Sequence, residues 1–420
     1  MIVPSIDLMN GHAVQLVGGK EMKLDAGDPY PICERFRVVG EIAVVDLDAA
    51  LGKGDNTAVM EKLCRMAPCR VGGGIRDAES ALRWLDAGAT KVVLGTAAVP
   101  EVLKKLPPDR VVAALDAYND EVVVKGWTEG TGARVIDRMK ELRGLAGHFL
   151  VTFVEREGRL TGLDLDRVAA LVEACGDAKL TIAGGVKTAQ DIADADRLGA
   201  NAQVGMALYT NRIGLGECVS TVMNSDRPDG LWPTVVCDER GTALGLVYSD
   251  DESLRDAIDN RRGTYHSRSR GLWVKGATSG NTQELLRVDV DCDRDALRFI
   301  VRQQGAGFCH TGTWSCFGED DGLGRLARRL AERVIEAPEG SYTRRLLNDP
   351  ALLRAKLVEE AGELGDAETG DEVIWEAADV LYFTLVRMAG AGITLSDVEA
   401  ELDRRELKVS RRPGNAKEGA

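Results

Sequence analysis

The 420-residue chain contains no run of eighteen or more apolar residues, so no membrane-spanning helix is expected. Basic residues are in the minority, 53 Lys and Arg against 67 Asp and Glu, for a net charge of -14. That balance excludes a general binder of nucleic acid or of anionic membranes, both of which need a basic surface. Phosphorylated small molecules stay open, because backbone amides and a few local cations suffice to hold them. Proline is scarce at 12 residues, and with 44% hydrophobic residues the chain reads as folded domains rather than disorder. Nine cysteines and four histidines form no short disulfide framework, which points to a reducing cytoplasm with most thiols as small core residues. Met1 to Asp7 reads as a strand with no basic leader ahead of it. The length exceeds one ordinary domain, so two or three are expected.

What is present begins, over residues 1–224, with short β-branched runs alternating with helical stretches. Ile42–Val45, Lys91–Leu94, Val111–Leu115, Phe149–Val154, Leu180–Ile182 and Ala202–Val204 are the clearest strands. Alternation over about 220 residues is the signature of a (β/α)8 barrel or a doubly wound sheet, and an internal repeat favours the barrel. Gly72-Gly73-Gly74 leads to Gly95-Thr96, and Gly184-Gly185 leads at similar spacing to Gly205. Glycines at strand ends let backbone N–H groups approach a phosphate, although singly they also serve as tight turns. Two matched pairs predict two phosphate sites, built from Gly73, Gly74, Gly95 and Thr96 in one half and Gly184, Gly185 and Gly205 in the other. Asp7 ends the first strand and Asp116 the fifth. Carboxylates facing each other there can act as base and acid, since the loops at that face form barrel active sites.

With Pro4-Ser5-Ile6-Asp7-Leu8, Val44-Val45-Asp46-Leu47-Asp48, Gly72-Gly73-Gly74-Ile75-Arg76, Leu94-Gly95-Thr96-Ala97, Val124-Lys125-Gly126-Trp127 and Val204-Gly205, the first half resembles the phosphoribosylformimino-aminoimidazole carboxamide ribotide isomerases. The resemblance implies an Amadori-type aldose-to-ketose isomerisation of a bisphosphorylated substrate, with Asp7 as base and Asp116 as acid. Asp164 matches a further substrate-binding acid of the family. Two departures stand out. Gln15 replaces the usual arginine, and Glu157-Gly158-Arg159 replaces an Asp-Gly-Thr turn in the active-site mouth. A long cation for a small hydroxyl changes size and charge together, which keeps an inactive or retuned barrel as the alternative.

After a polar break at Ser225–Gly230, residues 229–318 read as a small α+β, strand-rich domain dense in metal- and phosphate-binding groups. Cys292, Cys309 and Cys316 suit three positions of a tetrahedral zinc, with buried core thiols as the rival on spacing alone. Asp291, Asp293 and Asp295 crowd around Cys292, and like charges this close call for a cation. Period-two alternation sends these carboxylates to one face, predicting a magnesium site beside the zinc. Asp-Cys-Asp-Arg-Asp, Cys309-His310-Thr311-Gly312, Ser315-Cys316-Phe317, Ser267-Arg268-Ser269-Arg270 and Trp273-Val274-Lys275-Gly276 with Thr278-Ser279-Gly280 resemble phosphoribosyl-AMP cyclohydrolase. The resemblance implies zinc on the three cysteines, contributed by two subunits and hence a homodimer. It also implies magnesium on the three aspartates and hydrolytic opening of the adenine ring at N1–C6, for which zinc would activate the water. His310 is then a candidate proton shuttle. Arg268, Arg270, Lys275, Thr278 and Ser279 suit the ribotide phosphates.

From residue 322 to 408 apolar residues recur at three and four, the period of helices. Asp349-Pro350 reads as a helix start. Glu360 with Glu363, and Glu376 with Asp379, each lie three apart and so share a helix face. Paired antiparallel, the helices gather four carboxylates into a magnesium cage; a solvated acidic face is the bland rival. With Gly340-Ser341-Tyr342-Thr343 upstream, the segment resembles phosphoribosyl-ATP pyrophosphatase. Residues 409–420 read as a disordered tail.

The three resemblances name consecutive steps of histidine biosynthesis, so the expectation is a multifunctional cytoplasmic enzyme of phosphoribosyl nucleotides with Zn2+ and Mg2+ as cofactors. Two rivals stand beside it. One is a bifunctional cyclohydrolase and pyrophosphatase with a binding or assembly barrel. The other is a regulatory nucleotide-binding protein with a promiscuous pyrophosphatase tail.

Overall fold

The structure, a computed structural model, describes residues 1–410 except 125, 126, 128 and 319. The tail expected from 409 therefore lies, from 411 on, outside the described residues. The chain forms two compact units, one built from 1–306 with the segment after 406, the other from 307–406.

The first unit opens with eight parallel strands, β1 (Ile2–Met9), β2 (Ile42–Asp46), β3 (Cys69–Gly72), β4 (Lys91–Leu94), β5 (Val111–Tyr118), β6 (His148–Phe153), β7 (Lys179–Ala183) and β8 (Ala200–Val204). Each pairs with the next, and β8 returns to β1 through Ile2–Pro4 beside Ala202–Val204, closing the (β/α)8 barrel. The strands are almost continuously buried, as expected when helices cover the outside and side chains fill the inside. Val112, Leu150 and Ala183 form an apolar layer in the lumen. Beneath it the buried guanidinium of Arg70 donates to Glu41 and to Thr181 Oγ1, while Lys91 donates to Glu41 from the other side. These attractions overcome the cost of burial and hold the Glu41 carboxyl down at about 2. Antiparallel hairpin strands follow β1 and β5, at His12–Val17 with Glu21–Gly27 and at Glu121–Val124 with Glu129–Arg134.

The same unit continues into a six-stranded sheet, β9 (Trp232–Cys237), β10 (Ala243–Ser249), β11 (Thr264–Ser267), β12 (Gly271–Val274), β13 (Gln283–Val290) and β14 (Leu297–Gln303), in the order β12-β11-β10-β9-β14-β13. One helix, Asp251–Asn260, crosses between β10 and β11 and is started by a reciprocal Asp250–Ser253 capping box. Backbones meet closely where this helix packs on the barrel's last helix, Leu215–Ser220. A Cβ at Gly216 would stand 2.7 Å from Arg255 Cα, and the Gly216 N–H donates to Asp259 Oδ1 at 2.9 Å. At the far end of the unit's chain, the N–H groups of Val409 and Ser410 donate to Asp86 Oδ1 at 2.8 and 2.9 Å.

The second unit is helical. Gly322–Ile335, Tyr342–Asn348, Pro350–Asp366, Gly370–Ala389 and Leu395–Glu406 surround a core of Leu330, Leu346, Leu353, Phe383, Leu385 and Val386. Asp349 caps the third helix through the Leu352 N–H, with Pro350 in the first turn where its missing N–H costs nothing. Among the described residues no helix is long and apolar enough to cross a membrane.

Candidate functional sites

A cavity of about 1280 Å³ opens at the C-terminal ends of the barrel strands, and Asp7 and Asp116 both line it. The double glycines make the same close backbone contact in both halves of the barrel. Gly73, at φ +93°, would carry a Cβ 2.1 Å from the Asp46 carbonyl at the end of β2. Gly184, at φ +88°, would carry one 2.6 Å from the Phe153 carbonyl at the end of β6. Each pair therefore packs bare backbone against the preceding strand, which only a residue without Cβ permits. Gly74, Gly185, Gly95, Thr96 and Gly205 also face the cavity, and Arg76 supplies a cation beside the first set.

Burial removes the Asp7 carboxyl from water and pushes it up to about 7. Asp116 is likewise raised by burial, against hydrogen bonds donated by the Trp127 indole and the Thr152 hydroxyl. A third acid, absent from the expected set, joins them. Glu157 lines the cavity and is pushed up to about 7, first by burial and then by the charges of Asp7 and Asp116. A short 3-10 turn at Val154–Arg156 carries Glu157 inward while Arg159, two residues on, is exposed and off the cavity wall. The long cation at 159 therefore does not fill the mouth. Gln15 is buried, donates from Nε2 to the Val14 carbonyl at 2.8 Å, and lies directly beneath Gly205. It adds no charge beneath that glycine. Asp164 lies apart from the cavity, where it caps helix Leu165–Cys175 by accepting from the Arg167 N–H.

In the six-stranded domain, Asp291, Asp293 and Asp295 bring one carboxylate oxygen each within 4.8 Å of the others on the β13–β14 loop. Asp291 Oδ1 accepts from the N–H groups of Asp295 and Ala296 at 3.0 and 3.1 Å, which folds the loop. Asp295 is raised by its hydrogen bond to Asp291 and by the neighbouring charges of Asp293 and Asp226. Such crowding is relieved by a proton or a cation. Cys292, on the same loop, is exposed. Of the basic residues expected to hold phosphate, Arg268 stacks on Tyr248 and Arg270 on Trp273, with both guanidiniums exposed. Thr278 and Ser279 are exposed, whereas Lys275 is buried.

The second unit holds Cys309 and Cys316. The Thr311 hydroxyl donates to Cys309 Sγ at 3.1 Å, and with the Thr311 N–H and the Thr313 hydroxyl it draws this thiol down to about 6. A thiol poised near its thiolate is the donor a soft cation needs. His310 Nδ1 lies 3.9 Å from the same sulfur. In the helices, Glu360, Glu363 and Glu376 bring their oxygens within 4.8 Å of one another, and Asp379 adds its charge one turn beyond. Glu376 Oε2 is buried with no hydrogen-bond partner, and this carboxyl is raised by desolvation and by Glu363, Glu360 and Asp379. An orphaned carboxylate oxygen among acids is a donor set that suits a hard cation. Lys356 partly neutralises the cluster by donating to Glu360 at 2.6 Å. Thr343 of the Ser-Tyr-Thr segment bonds Tyr382 on the Glu376 helix at 2.8 Å.

A closed barrel with paired acids in its cavity is followed in the chain by a carboxylate loop in a six-stranded sheet and by an acid cluster among helices. The chain belongs to the histidine biosynthesis protein family, whose model matches residues 1–214. Matches to phosphoribosyl-AMP cyclohydrolase at 245–318 and to phosphoribosyl-ATP pyrophosphohydrolase at 323–406 follow in order. The histidine biosynthesis bifunctional protein HisIE of Deinococcus radiodurans is 43% identical over 200 residues, 43% of this chain and 91% of its own length. The histidine biosynthesis bifunctional protein his7 of Schizosaccharomyces pombe is 52% identical over 206 residues, 49% of each chain. The histidine biosynthesis trifunctional protein of Neurospora crassa is 54% identical over 206 residues, 49% of this chain but 24% of its own. The chain thus spans about half or a quarter of the length of these fungal relatives.

Proposed function

We propose that the chain catalyses consecutive steps on one phosphoribosyl nucleotide. The helical domain hydrolyses phosphoribosyl-ATP to phosphoribosyl-AMP and pyrophosphate, the six-stranded domain opens the adenine ring, and the barrel isomerises the resulting formimino ribotide. The observation that carries this reading is the presence, in one chain and in order, of three chemically distinct sites within three matches that belong to one pathway.

In the barrel, the two glycine cradles hold a phosphate at each end of the substrate, which lays the sugar across Asp7 and Asp116. Asp116, raised by burial, donates to the furanose ring oxygen and opens it. Asp7, poised near neutrality, removes the proton from C2. Glu157 stands beside them on the cavity wall, pushed up to about 7 by burial and by the charges of Asp7 and Asp116. In the helical domain, Glu360, Glu363, Glu376 and Asp379 would hold magnesium, which neutralises the pyrophosphate leaving group. Asp291, Asp293 and Asp295 would hold magnesium in the six-stranded domain, and Cys292, Cys309 and Cys316 zinc, which supplies a water reactive at neutral pH. Arg268 and Arg270, both exposed, would reach the ribotide phosphates, and His310, 3.9 Å from Cys309 Sγ, would move a proton. A homodimer in the cytoplasm completes the reading.

A second reading, a retuned barrel, is favoured by one observation. Gln15 leaves the Gly184–Gly205 cradle with a neutral side chain beneath it. Cys309→Ser tests the division of labour. Ring opening, followed by ultraviolet absorbance, should stop while pyrophosphate release continues. Persistent ring opening would remove the zinc assignment.

A further inference from the structure

We propose that Arg294 is a positioning residue through which the barrel sets the geometry of the Asp291–Asp295 loop, so that the cation affinity of that loop depends on Asp196, a barrel residue. The inference rests on the reading of this loop as a divalent-cation site.

Arg294 lies in the middle of the loop, with acids on either side. Its guanidinium nevertheless turns away from their carboxylates. Nε and Nη2 donate to the two oxygens of Asp196 at 3.1 and 3.0 Å, a two-point pair with the barrel helix Ala189–Arg197. The remaining nitrogen, Nη1, donates back to the Asp291 carbonyl at 3.0 Å. One planar cation therefore fixes the start of the acidic loop to a barrel carboxylate, and Asp196 is held below its ordinary range with Arg294 among the causes.

The backbone supports the same conclusion. Arg294 has φ +69°, the left-handed region in which a side chain is strained and glycine is at home. Strain of this kind persists only where surrounding contacts over-determine it. Those contacts come from the barrel's side of the linker as well. The Asn224 N–H donates to the Arg294 carbonyl at 2.7 Å, and Asn224 Nδ2 reaches the Asp293 carbonyl at 3.5 Å. The carbonyls of 293 and 294 and the side chain of 294 are thus all anchored outside the loop. Because residue 294 separates Asp293 from Asp295, its conformation sets how their carboxylates converge with Asp291. Outer partners that orient ligating carboxylates typically control metal affinity by about 10- to 100-fold.

The test is a Mn2+ titration of the full chain by electron paramagnetic resonance, in a Glu360→Gln/Glu376→Gln background that removes the helical cage. Asp293→Asn identifies the loop site by abolishing its Mn2+ binding. Asp196→Asn and Arg294→Gln should each weaken that binding on the order of tenfold, and the double variant should be no worse than either alone. Arg294→Gly, which relieves the backbone strain and so protects folding, should weaken binding equally. In an otherwise wild-type chain, pyrophosphate release should be unchanged by Asp196→Asn. If Arg294→Gln weakens Mn2+ binding but Asp196→Asn does not, Arg294 acts within its own loop and the proposal fails while the site stands. If Asp293→Asn removes no Mn2+ binding, the loop is not a cation site and both readings fall.

Discussion

Replacing Asp7 with asparagine should make the barrel more stable, and more so at high pH. Complete burial raises this carboxyl from its ordinary 3.8 to about 7, so the folded protein binds a proton that the unfolded chain has released. The stability contributed by the protonated form is fully present below about pH 4 and is lost as pH rises through about 7. At about 1.4 kcal/mol per unit, the resulting cost is about 1.5 kcal/mol at pH 5 and about 4 kcal/mol at pH 8. Asparagine keeps the size of the side chain and escapes ionisation. With about 2–4 °C per kcal/mol in a domain of this length, Tm should rise on the order of 4 °C at pH 5 and 10 °C at pH 8. Differential scanning calorimetry of wild type and variant at the two pH values reads this directly, alongside loss of isomerisation. An equal shift at both pH values, or destabilisation at pH 8, would refute the reasoning, because the buried charge would then not be what the fold resists.

Gly73→Ala should lower stability by about 2–4 kcal/mol, since its Cβ would meet the Asp46 carbonyl at 2.1 Å in a left-handed backbone; urea unfolding measures it, and a change under 1 kcal/mol would show the cradle to be loose. Glu376→Gln should remove the rise in Tm that magnesium gives the helical unit and slow pyrophosphate release by about 10- to 100-fold. It should not destabilise the metal-free protein, because it relieves crowding by Glu363, Glu360 and Asp379; an intact magnesium response would disprove the cage.

Much of this was legible in the sequence because the signals are local. The strand–helix alternation and the paired glycines depend on neighbours in the chain, and both closed into a barrel whose halves repeat the same backbone contact. The acids three apart on two helices converge because helical geometry fixes their face. Side-chain direction inside a loop was not legible. Glu157 and Arg159 are two residues apart, and a single 3-10 turn sends one into the cavity and the other to solvent. Asp164, expected as a substrate-binding acid from the resemblance alone, caps helix Leu165–Cys175, a role that its neighbours in the chain do not announce. The contact of Arg294 with Asp196, 98 residues apart, has no local signature at all.

The most direct test of the account is to supply purified protein with phosphoribosyl-ATP, magnesium and zinc, and to identify where the product series stops. Three working sites predict pyrophosphate, then the ring-opened formimino ribotide, then its isomerised ketose as the end product. Accumulation of the unisomerised formimino ribotide would contradict an active barrel, and failure to release pyrophosphate would contradict the first step and the order built upon it.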